Sequence, residues 1–201
     1  MFYCRNDELR KLNKRYDNGD FECVVIYGRR RVGKTAIINE FCKEKPTVFF
    51  SALLEGTAKD NLKTLSRAIY AYKEPEATEA PEYGSFDSAL DEITRLASKE
   101  RVIFVIDEYP YLAKAYPSIS SRLQHLIDHT WKDSKLFLVL CGSSMSFMEN
   151  QVLGYQSPHY GRRTGQLKIE PLTYKETAVF NPELDNVTNA FVYSVTGGIP
   201  Q

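Results

Sequence analysis

The sequence lacks long apolar runs and any excess of charge of one sign. Its longest apolar runs are five or six residues, whereas a membrane-spanning helix needs about 20. Its 26 basic residues balance 26 acidic ones, so composition does not indicate a nucleic-acid or anionic-membrane partner, and any basic surface must be local. The first residues, MFYCRNDELR, do not have the basic-then-apolar layout of a signal peptide. These absences favour a cytoplasmic protein that does not enter a membrane.

Cysteine is also scarce. Cys4, Cys23, Cys42 and Cys141 are widely separated, and no CxxC or Cys/His spacing connects them. This pattern does not fit a zinc site built on paired cysteines, and it favours buried or reduced thiols. A chain of 201 residues with 43% apolar content can bury one sizeable core, so we expect one main domain with at most a small appendage.

Short, continuous apolar runs alternate with helical patterns along the chain. The runs are CVVIY (23–27), TVFFSALL (47–54), VIFVI (102–106) and LFLVLC (136–141). Strands that are apolar on both faces are typical of a parallel sheet covered by helices on both sides. A fifth run, QLKIEPL (166–172), alternates between apolar and polar residues as an edge strand does. The pattern therefore predicts an α/β domain.

A phosphate-binding loop is predicted between the first strand and the helix that follows it. The spacing Gly28-x4-Gly33-Lys34-Thr35 lets the backbone turn its N–H groups toward phosphates at a helix N-terminus. Lys34 is expected to reach the β and γ phosphates, and the Thr35 hydroxyl to bind Mg²⁺. The predicted nucleotide-binding residues of the loop are Gly28, Arg29, Arg30, Arg31, Val32, Gly33, Lys34, Thr35 and Ala36.

Two acidic residues end the buried strand in RVIFVIDEYPYL. Asp107 and Glu108 lie where α/β sheets place their ligands, at the carboxyl end of a strand. Asp107 is expected to hold Mg²⁺ through water, and Glu108 to orient or deprotonate a water aimed at the γ phosphate. This pair favours hydrolysis over phosphoryl transfer to a second substrate. The alternative is a strand that simply ends in two solvated acids.

The strand ending LVLCGSSMS offers a further polar group. If this strand is a neighbour of the Asp107 strand, then Ser143 or Ser144 would lie beside Asp107. A serine hydroxyl there would hydrogen-bond the γ phosphate or the attacking water. Capping of a helix N-terminus is the alternative role for either serine.

Taken in order, five segments resemble the archaeal-type ATPases of the STAND class of P-loop NTPases, which are relatives of AAA+ proteins. They are GRRRVGKT, VIFVIDEYPYL, LVLCGSS, YGRRTGQLKIEPL and TGGIP. The resemblance implies an ATP-binding three-layer sandwich with a parallel five-stranded sheet of order 5-1-4-3-2 and helices on both faces. In that order the LVLCGSS strand lies between the phosphate-loop strand and the Asp107 strand. The resemblance also implies that Arg5, Glu8 and Leu9 pack near the adenine.

The same resemblance assigns roles to three residues late in the chain. It places the GRRTG segment near the nucleotide, so that Arg162 or Arg163 would neutralise charge on the γ phosphate, in cis or from a neighbouring subunit. Ion pairing within a loop is the alternative for both arginines. Pro200, in TGGIP, would contact the nucleotide, although a proline after two glycines is also typical of an ordinary helix start.

The three arginines inside the phosphate loop need a separate interpretation. Because the backbone of such a loop holds the phosphates, the side chains of Arg29, Arg30 and Arg31 are free to point elsewhere. We favour pairing with acids of a neighbouring domain or subunit, which would report whether ATP is bound. Contact with nucleic acid and simple solvation are the alternatives.

The motifs predict Mg²⁺-dependent hydrolysis of a nucleoside triphosphate, and the resemblance implies that the ligand is ATP or ADP and that the domain acts as a nucleotide-dependent switch within a larger protein. The expected domains are residues 1–180, the ATPase domain, and 181–201, the start of a helical appendage, because members of the resembled family continue into further domains and this sequence looks truncated. Alternatives are a nucleotide-gated scaffold without useful turnover and a motor-like ATPase on DNA. Assembly into a homo-oligomer is left open.

Overall fold

In a computed structural model, which describes residues 4–77 and 79–199, strands and helices alternate along most of the chain. The strands are β1 (Glu22–Tyr27), β2 (Thr47–Ser51), β3 (Ile103–Asp107), β4 (Phe137–Gly142) and β5 (Gly165–Lys168). The helices are α1 (Asn6–Asp17), α2 (Lys34–Cys42), α3 (Ala58–Lys73), α4 (Phe86–Lys99), α5 (Tyr109–Ala115), α6 (Ile119–His129), α7 (Met145–Phe147), α8 (Tyr174–Ala178) and α9 (Asn186–Thr196). Within the described ranges, no helix has the length and apolar content that crossing a membrane requires.

All five strands form one parallel sheet of order β2-β3-β4-β1-β5. Read from the other edge, this is the predicted order 5-1-4-3-2, so the prediction is confirmed. β4 lies between β1 and β3, with Val139 level with both Val24 and Val105. β5 is shorter than the predicted run 166–172: it leaves the sheet before Pro171, which has no N–H for a ladder bond.

Helices cover both faces of the sheet because its central strands are apolar on both sides. All six residues of β1 and all six of β4 are buried. On one face, Val24 and Ile26 pack with Phe41 of α2 and Leu12 of α1. On the other face, the apolar sides of α3, α4, α5 and α6 complete a larger core. The result is the predicted three-layer sandwich.

The last two helices form a hairpin beyond the sheet. Thr173 and Glu176 make a reciprocal capping box at the start of α8, and Asp185 caps α9. The backbone N–H of Leu172 donates to the Gly198 carbonyl at 2.8 Å, which ties the end of α9 to the chain leaving β5. α8 and α9 pack against each other on either side of residue 180. The division into 1–180 and 181–201 stays a prediction.

A buried polar cluster lies behind the start of α5. The Tyr109 hydroxyl is 2.6 Å from the Ser120 hydroxyl and 2.9 Å from His159 Nε2. His159 is completely buried, and its Nδ1 has no hydrogen-bond partner among the described residues. Burial, helped by the nearby charge of Arg162, lowers the pKa of His159 to about 4, so the imidazole is neutral in the folded protein.

This cluster should make stability fall as the solution is acidified. The unfolded chain protonates His159 near pH 6.5 but the folded chain only near 4, so stability that is complete above about pH 6.5 is lost as the pH falls toward 4. Urea unfolding measures the free energy by which wild type is more stable than His159→Gln. This difference should be smaller at pH 5 than at pH 7.5 by about 2 kcal/mol. Glutamine does not titrate, so contributions from other groups cancel. A difference that stays constant with pH would contradict the assignment.

Candidate active site

The loop between β1 and α2 is shaped by two glycines at opposite ends. Gly33, at the N-cap of α2, has the left-handed φ of +93° that favours glycine. A Cβ on Gly28 would lie 2.2 Å from the Ile169 carbonyl oxygen, so only glycine fits between the loop and the chain leaving β5. The side chain of Val32 is fully buried in the core and anchors the loop from below.

Lys34 is held inside this loop. Its side chain is buried, and its ammonium donates to the carbonyl oxygens of Gly28 at 3.0 Å and Arg29 at 2.8 Å. A positive charge is therefore fixed at the centre of the loop, next to the N-terminus of α2. Both features favour a bound anion such as a phosphate chain.

A hydroxyl and a carboxylate meet at the adjoining strand end. Thr35 Oγ1 donates to Asp107 Oδ2 at 3.1 Å, and Asp107 Oδ1 accepts from the Glu108 backbone N–H at 3.0 Å. The hydroxyl and carboxylate oxygens of this pair are suitable ligands for Mg²⁺, which takes oxygen ligands and usually binds through one or two protein groups together with substrate phosphates. No group of three or more His, Cys, Asp or Glu side chains suited to a metal occurs in residues 4–77 and 79–199. The remaining ligands would thus come from phosphates and water.

Glu108 has an unusual backbone. It is the N-cap of α5, with left-handed φ of 50° and ψ of 43°, and Pro110 follows in the first turn. Such a conformation costs a non-glycine residue about 1 kcal/mol or more and recurs at functional sites. Ser143 Oγ lies 2.8 Å and 2.9 Å from the two carboxylate oxygens of Glu108.

The position of Ser143 refines one prediction. β3 and β4 are neighbours as expected, but the hydroxyl contacts Glu108 and not Asp107. Ser144 occupies the N-cap position of the short helix α7 without a side-chain cap bond. The two serines therefore differ. Ser143 contacts Glu108, whereas Ser144 does not make the helix-capping hydrogen bond that was its alternative role.

One cleft of about 690 Å³ brings together half of the predicted site residues. It is lined by Arg30, Arg31, Gly33, Lys34, Thr35, Ala36, Leu54, Glu108, Tyr111 and Ser143. Leu54 and Tyr111 were not expected in the site. The sequence position of Tyr111 did indicate a place near the site, because it lies three residues after Glu108, on a helix with Pro110 in its first turn.

Arg5 supports the loop from the N-terminal side. Its guanidinium is buried and donates to the carbonyl oxygens of Val32 at 3.2 Å and Glu170 at 2.7 Å, and it pairs with Glu8 at 3.2 Å. The N-terminal segment is therefore attached to the phosphate loop. Contact of this segment with adenine stays a prediction, and Pro200 lies outside the described residues.

Arg162 and Arg163 lie toward the opposite end of the sheet. The next residue, Thr164, donates its backbone N–H to the Cys23 carbonyl at 2.9 Å, near the amino end of β1. Because β5 runs parallel to β1, residues just before β5 must lie at the amino edge, whereas the phosphate loop leaves the carboxyl edge. The predicted location near the nucleotide of the same chain is wrong.

The hydrogen-bond partners of Arg162 and Arg163 agree with a location at the amino edge of the sheet. Arg162 donates to both carboxylate oxygens of Asp128, at 2.6 Å and 2.7 Å, and lowers the pKa of that carboxyl. Arg163 donates to the Leu153 carbonyl at 3.1 Å. Arg162 therefore forms an ion pair, which was the alternative interpretation of this residue. Action from a neighbouring subunit stays a prediction.

The sequence was then compared with known families. Residues 2–201 match the family described as an ATPase domain predominantly from Archaea. The chain belongs to this family. An uncharacterized protein of Methanocaldococcus jannaschii is 39% identical over 202 residues, which is 100% of this chain and 43% of that protein. An uncharacterized ATP-binding protein of the same organism is 40% identical over 45 residues, 22% of this chain and 76% of that protein.

Solved structures share the fold of this ATPase domain. A Walker-type ATPase of Pyrococcus abyssi has a TM-score of 0.71 at 21% identity, covering 99% of this chain and 65% of that chain. The Aeropyrum pernix ORC1 protein, solved in complex with DNA, has a TM-score of 0.65 at 17% identity, covering 98% of this chain and 56% of that chain. These likenesses show a P-loop NTPase fold. The chain spans less than half of the Methanocaldococcus relative and about two thirds of the Pyrococcus ATPase.

Loss of the Arg5 guanidinium should destabilise the ATPase domain. Arg5→Met leaves two backbone carbonyls without their charged donor, so we expect the free energy of unfolding to fall by about 2 to 3 kcal/mol in urea titrations. Arg10→Met is the matched control, in the helix α1 that Arg5 precedes: its side chain is exposed and pairs with Asp7, so its loss should cost less than about 1 kcal/mol. Equal effects of the two substitutions would contradict a supporting role for Arg5.

Proposed function

We propose that this ATPase domain binds Mg-ATP in the cleft and hydrolyses it slowly, and that the nucleotide state switches the conformation of a larger protein. The observation that carries the proposal is the convergence of Lys34, Thr35 and Glu108 on one cleft, with Asp107 hydrogen-bonded to Thr35. Lys34 and Thr35 follow β1, and Asp107 and Glu108 stand at the end of β3. Anion binding, metal binding and a base for water thus occur together, which is what hydrolysis of a nucleoside triphosphate requires.

Nucleotide binding is assigned to the loop and its flanking groups. The Lys34 ammonium would exchange its carbonyl partners for phosphate oxygens, and the N-terminus of α2 adds favourable partial charge. Thr35 and Asp107 would hold Mg²⁺, which neutralises phosphate charge in the reaction. The suitability of these residues for a phosphate chain and Mg²⁺ supports ATP and ADP as the proposed ligands.

Hydrolysis is assigned to Glu108. Its carboxylate would take a proton from a water whose oxygen attacks the γ phosphorus while the bond to the ADP oxygen breaks, giving ADP and inorganic phosphate. Ser143 restricts the carboxylate to one orientation, because its hydroxyl lies within hydrogen-bond distance of both oxygens. Ser143 therefore acts through Glu108 in this proposal.

Two other functions are kept as alternatives. A nucleotide-gated scaffold would need the same binding groups without turnover, and the placement of Glu108 argues against it. A motor-like ATPase on DNA is supported by the structural similarity to the ORC1 protein, which was solved in complex with DNA. The balanced charge of this chain argues against that function.

The switch is assigned to contacts outside the cleft. The side chains of Arg29 and Arg31 are both exposed, and Arg31 also lines the cleft. Pairing of these side chains with acids of a further domain or subunit would make those contacts depend on the bound nucleotide. The helical hairpin of α8 and α9 would begin the appendage through which the change is passed on. A cytoplasmic location and a homo-oligomeric assembly belong to the same proposal.

Replacement of Glu108 tests hydrolysis directly. Glu108→Gln should lower phosphate release from Mg-ATP by about 100-fold or more while ATP still binds, since the amide cannot accept the proton. Lys34→Ala should instead weaken nucleotide binding. Glu149→Gln, an exposed acid after β4, is the control and should keep wild-type release. Tight ATP binding without phosphate release by the wild type would favour the gated scaffold.

Replacement of Ser143 tests its indirect role. Ser143→Ala should reduce kcat by about tenfold through loss of a hydrogen bond to Glu108, with little change in ADP affinity. Ser143→Thr should restore most of the rate, because it keeps the hydroxyl. Ser144→Ala is the neighbouring control and should be silent in the same assay. If Ser143→Ala weakened ADP binding as much as it slowed turnover, the serine would be a binding group.

A further inference from the structure

A guanidinium and a phenol connect the two sides of the cleft. Arg30, in the middle of the phosphate loop, donates a hydrogen bond to the Tyr111 hydroxyl. Arg30 is exposed and Tyr111 is half-buried, and both side chains line the cleft. The contact joins residues that are far apart in sequence, so the tertiary fold creates it.

The position of Tyr111 fixes where the Arg30 guanidinium lies. The Tyr111 backbone N–H donates to the Glu108 carbonyl at 2.9 Å, so the two residues share the first turn of α5. Arg30 therefore reaches from the loop toward the acid assigned to the attacking water. That water approaches the γ phosphate, so the guanidinium lies on the γ side of the cleft.

The charge of Arg30 has no acidic partner. Within residues 4–77 and 79–199, no carboxylate lies within ion-pair distance of its guanidinium. Its bond to a neutral phenol orients the group without neutralising it, and one phenol oxygen leaves most of the five N–H donors of an arginine available. An oriented, unneutralised guanidinium at the mouth of a phosphate cleft is suited to an anionic ligand.

Three other arginines that the sequence suggested for the site are engaged elsewhere. Arg5 donates to backbone carbonyls behind the loop, and Arg162 is paired with Asp128 toward the amino edge of the sheet. Arg163 donates to a carbonyl in its own neighbourhood. None of these three lines the cleft. Arg31 does line the cleft, but Arg30 is the one that Tyr111 orients. The arginine expected from the GRRTG segment is thus replaced, in this geometry, by one from the phosphate loop itself.

We propose that Arg30 binds the γ phosphate in cis and neutralises the charge that develops on it, and that Tyr111 is the positioning residue that aims its guanidinium. This inference rests on the proposed function, since it takes the cleft as a nucleotide site. It also answers why a phosphate loop carries an arginine at this place: the backbone holds the α and β phosphates while the side chain crosses to the γ side.

The test compares two ligands that differ only at the γ position. Affinities for Mg-ADP alone and for Mg-ADP with aluminium fluoride, a mimic of the transferring phosphoryl group, are measured by calorimetry. Arg30→Ala should lower the preference for the fluoride complex by about 100-fold, while ADP affinity changes less than about threefold. Tyr111→Phe should lower that preference by about tenfold, because the ring stays and only the aiming hydroxyl is lost. Arg30→Lys should fall between Arg30→Ala and wild type, since it keeps the charge but not the planar fork.

Two matched controls separate this role from general effects. Lys114→Ala removes an exposed cation from the same helix as Tyr111, and Tyr116→Phe removes the hydroxyl of a tyrosine that stacks on Phe86. Both should keep the wild-type preference. The inference is overturned if Arg30→Ala keeps the preference, if Lys114→Ala loses it equally, or if wild type binds the fluoride complex no better than ADP.

Failure of hydrolysis would look different from failure of this inference. A wild type that shows the Arg30-dependent preference but releases no phosphate from Mg-ATP would support Arg30 as a γ-phosphate ligand and would remove hydrolysis from the proposed function. If wild type instead hydrolysed Mg-ATP but its preference for the fluoride complex did not depend on Arg30, hydrolysis would stand and Arg30 would not be a γ-phosphate ligand.

Discussion

The site depends on the parallel pairing of three strands. Because β1, β4 and β3 run in the same direction as neighbours, the phosphate loop, Ser143 and the Asp107–Glu108 pair all leave the sheet at one edge. The Thr35–Asp107 hydrogen bond then joins the loop helix to the central acid. The contacts between the loop, Glu108 and Ser143 depend on that shared edge, and the buried faces of β1 and β4 hold it in the core.

Much of this arrangement is readable from the sequence because its signals are local. The glycine spacing of the phosphate loop directly indicates its backbone geometry, and the continuous apolar runs of the inner strands indicate that these strands are buried on both faces. Asp107 and Glu108 follow such a run without interruption, so their place at a strand end needs no tertiary information. The strand order came with the resemblance to a family, since periodicity alone does not determine which strands are neighbours.

Residues whose roles depend on distant partners could not be predicted in the same way. Tyr111 meets Arg30 only after α5 has packed beside the loop, and nothing in either segment indicates that contact. Arg162 and Arg163 were misplaced for a different reason. A family-level expectation outweighed a simple rule of direction: residues that immediately precede a parallel strand lie at its amino end. Applied to the β5 segment, that rule alone would have moved both arginines away from the phosphates.

The order of the strands also governs how the chain can fold during synthesis. β1 is among the first elements made, but its partners in the sheet, β4 and β5, are among the last: Glu22 pairs with Phe137, and Val24 with Gly165. Contacts so distant in sequence form late and slowly. The phosphate loop, which leaves β1, therefore stays unsupported on the ribosome until nearly the whole domain has emerged. The sheet beside the nucleotide site of a nascent chain is therefore complete only after β4 and β5 have been synthesised and have paired with β1.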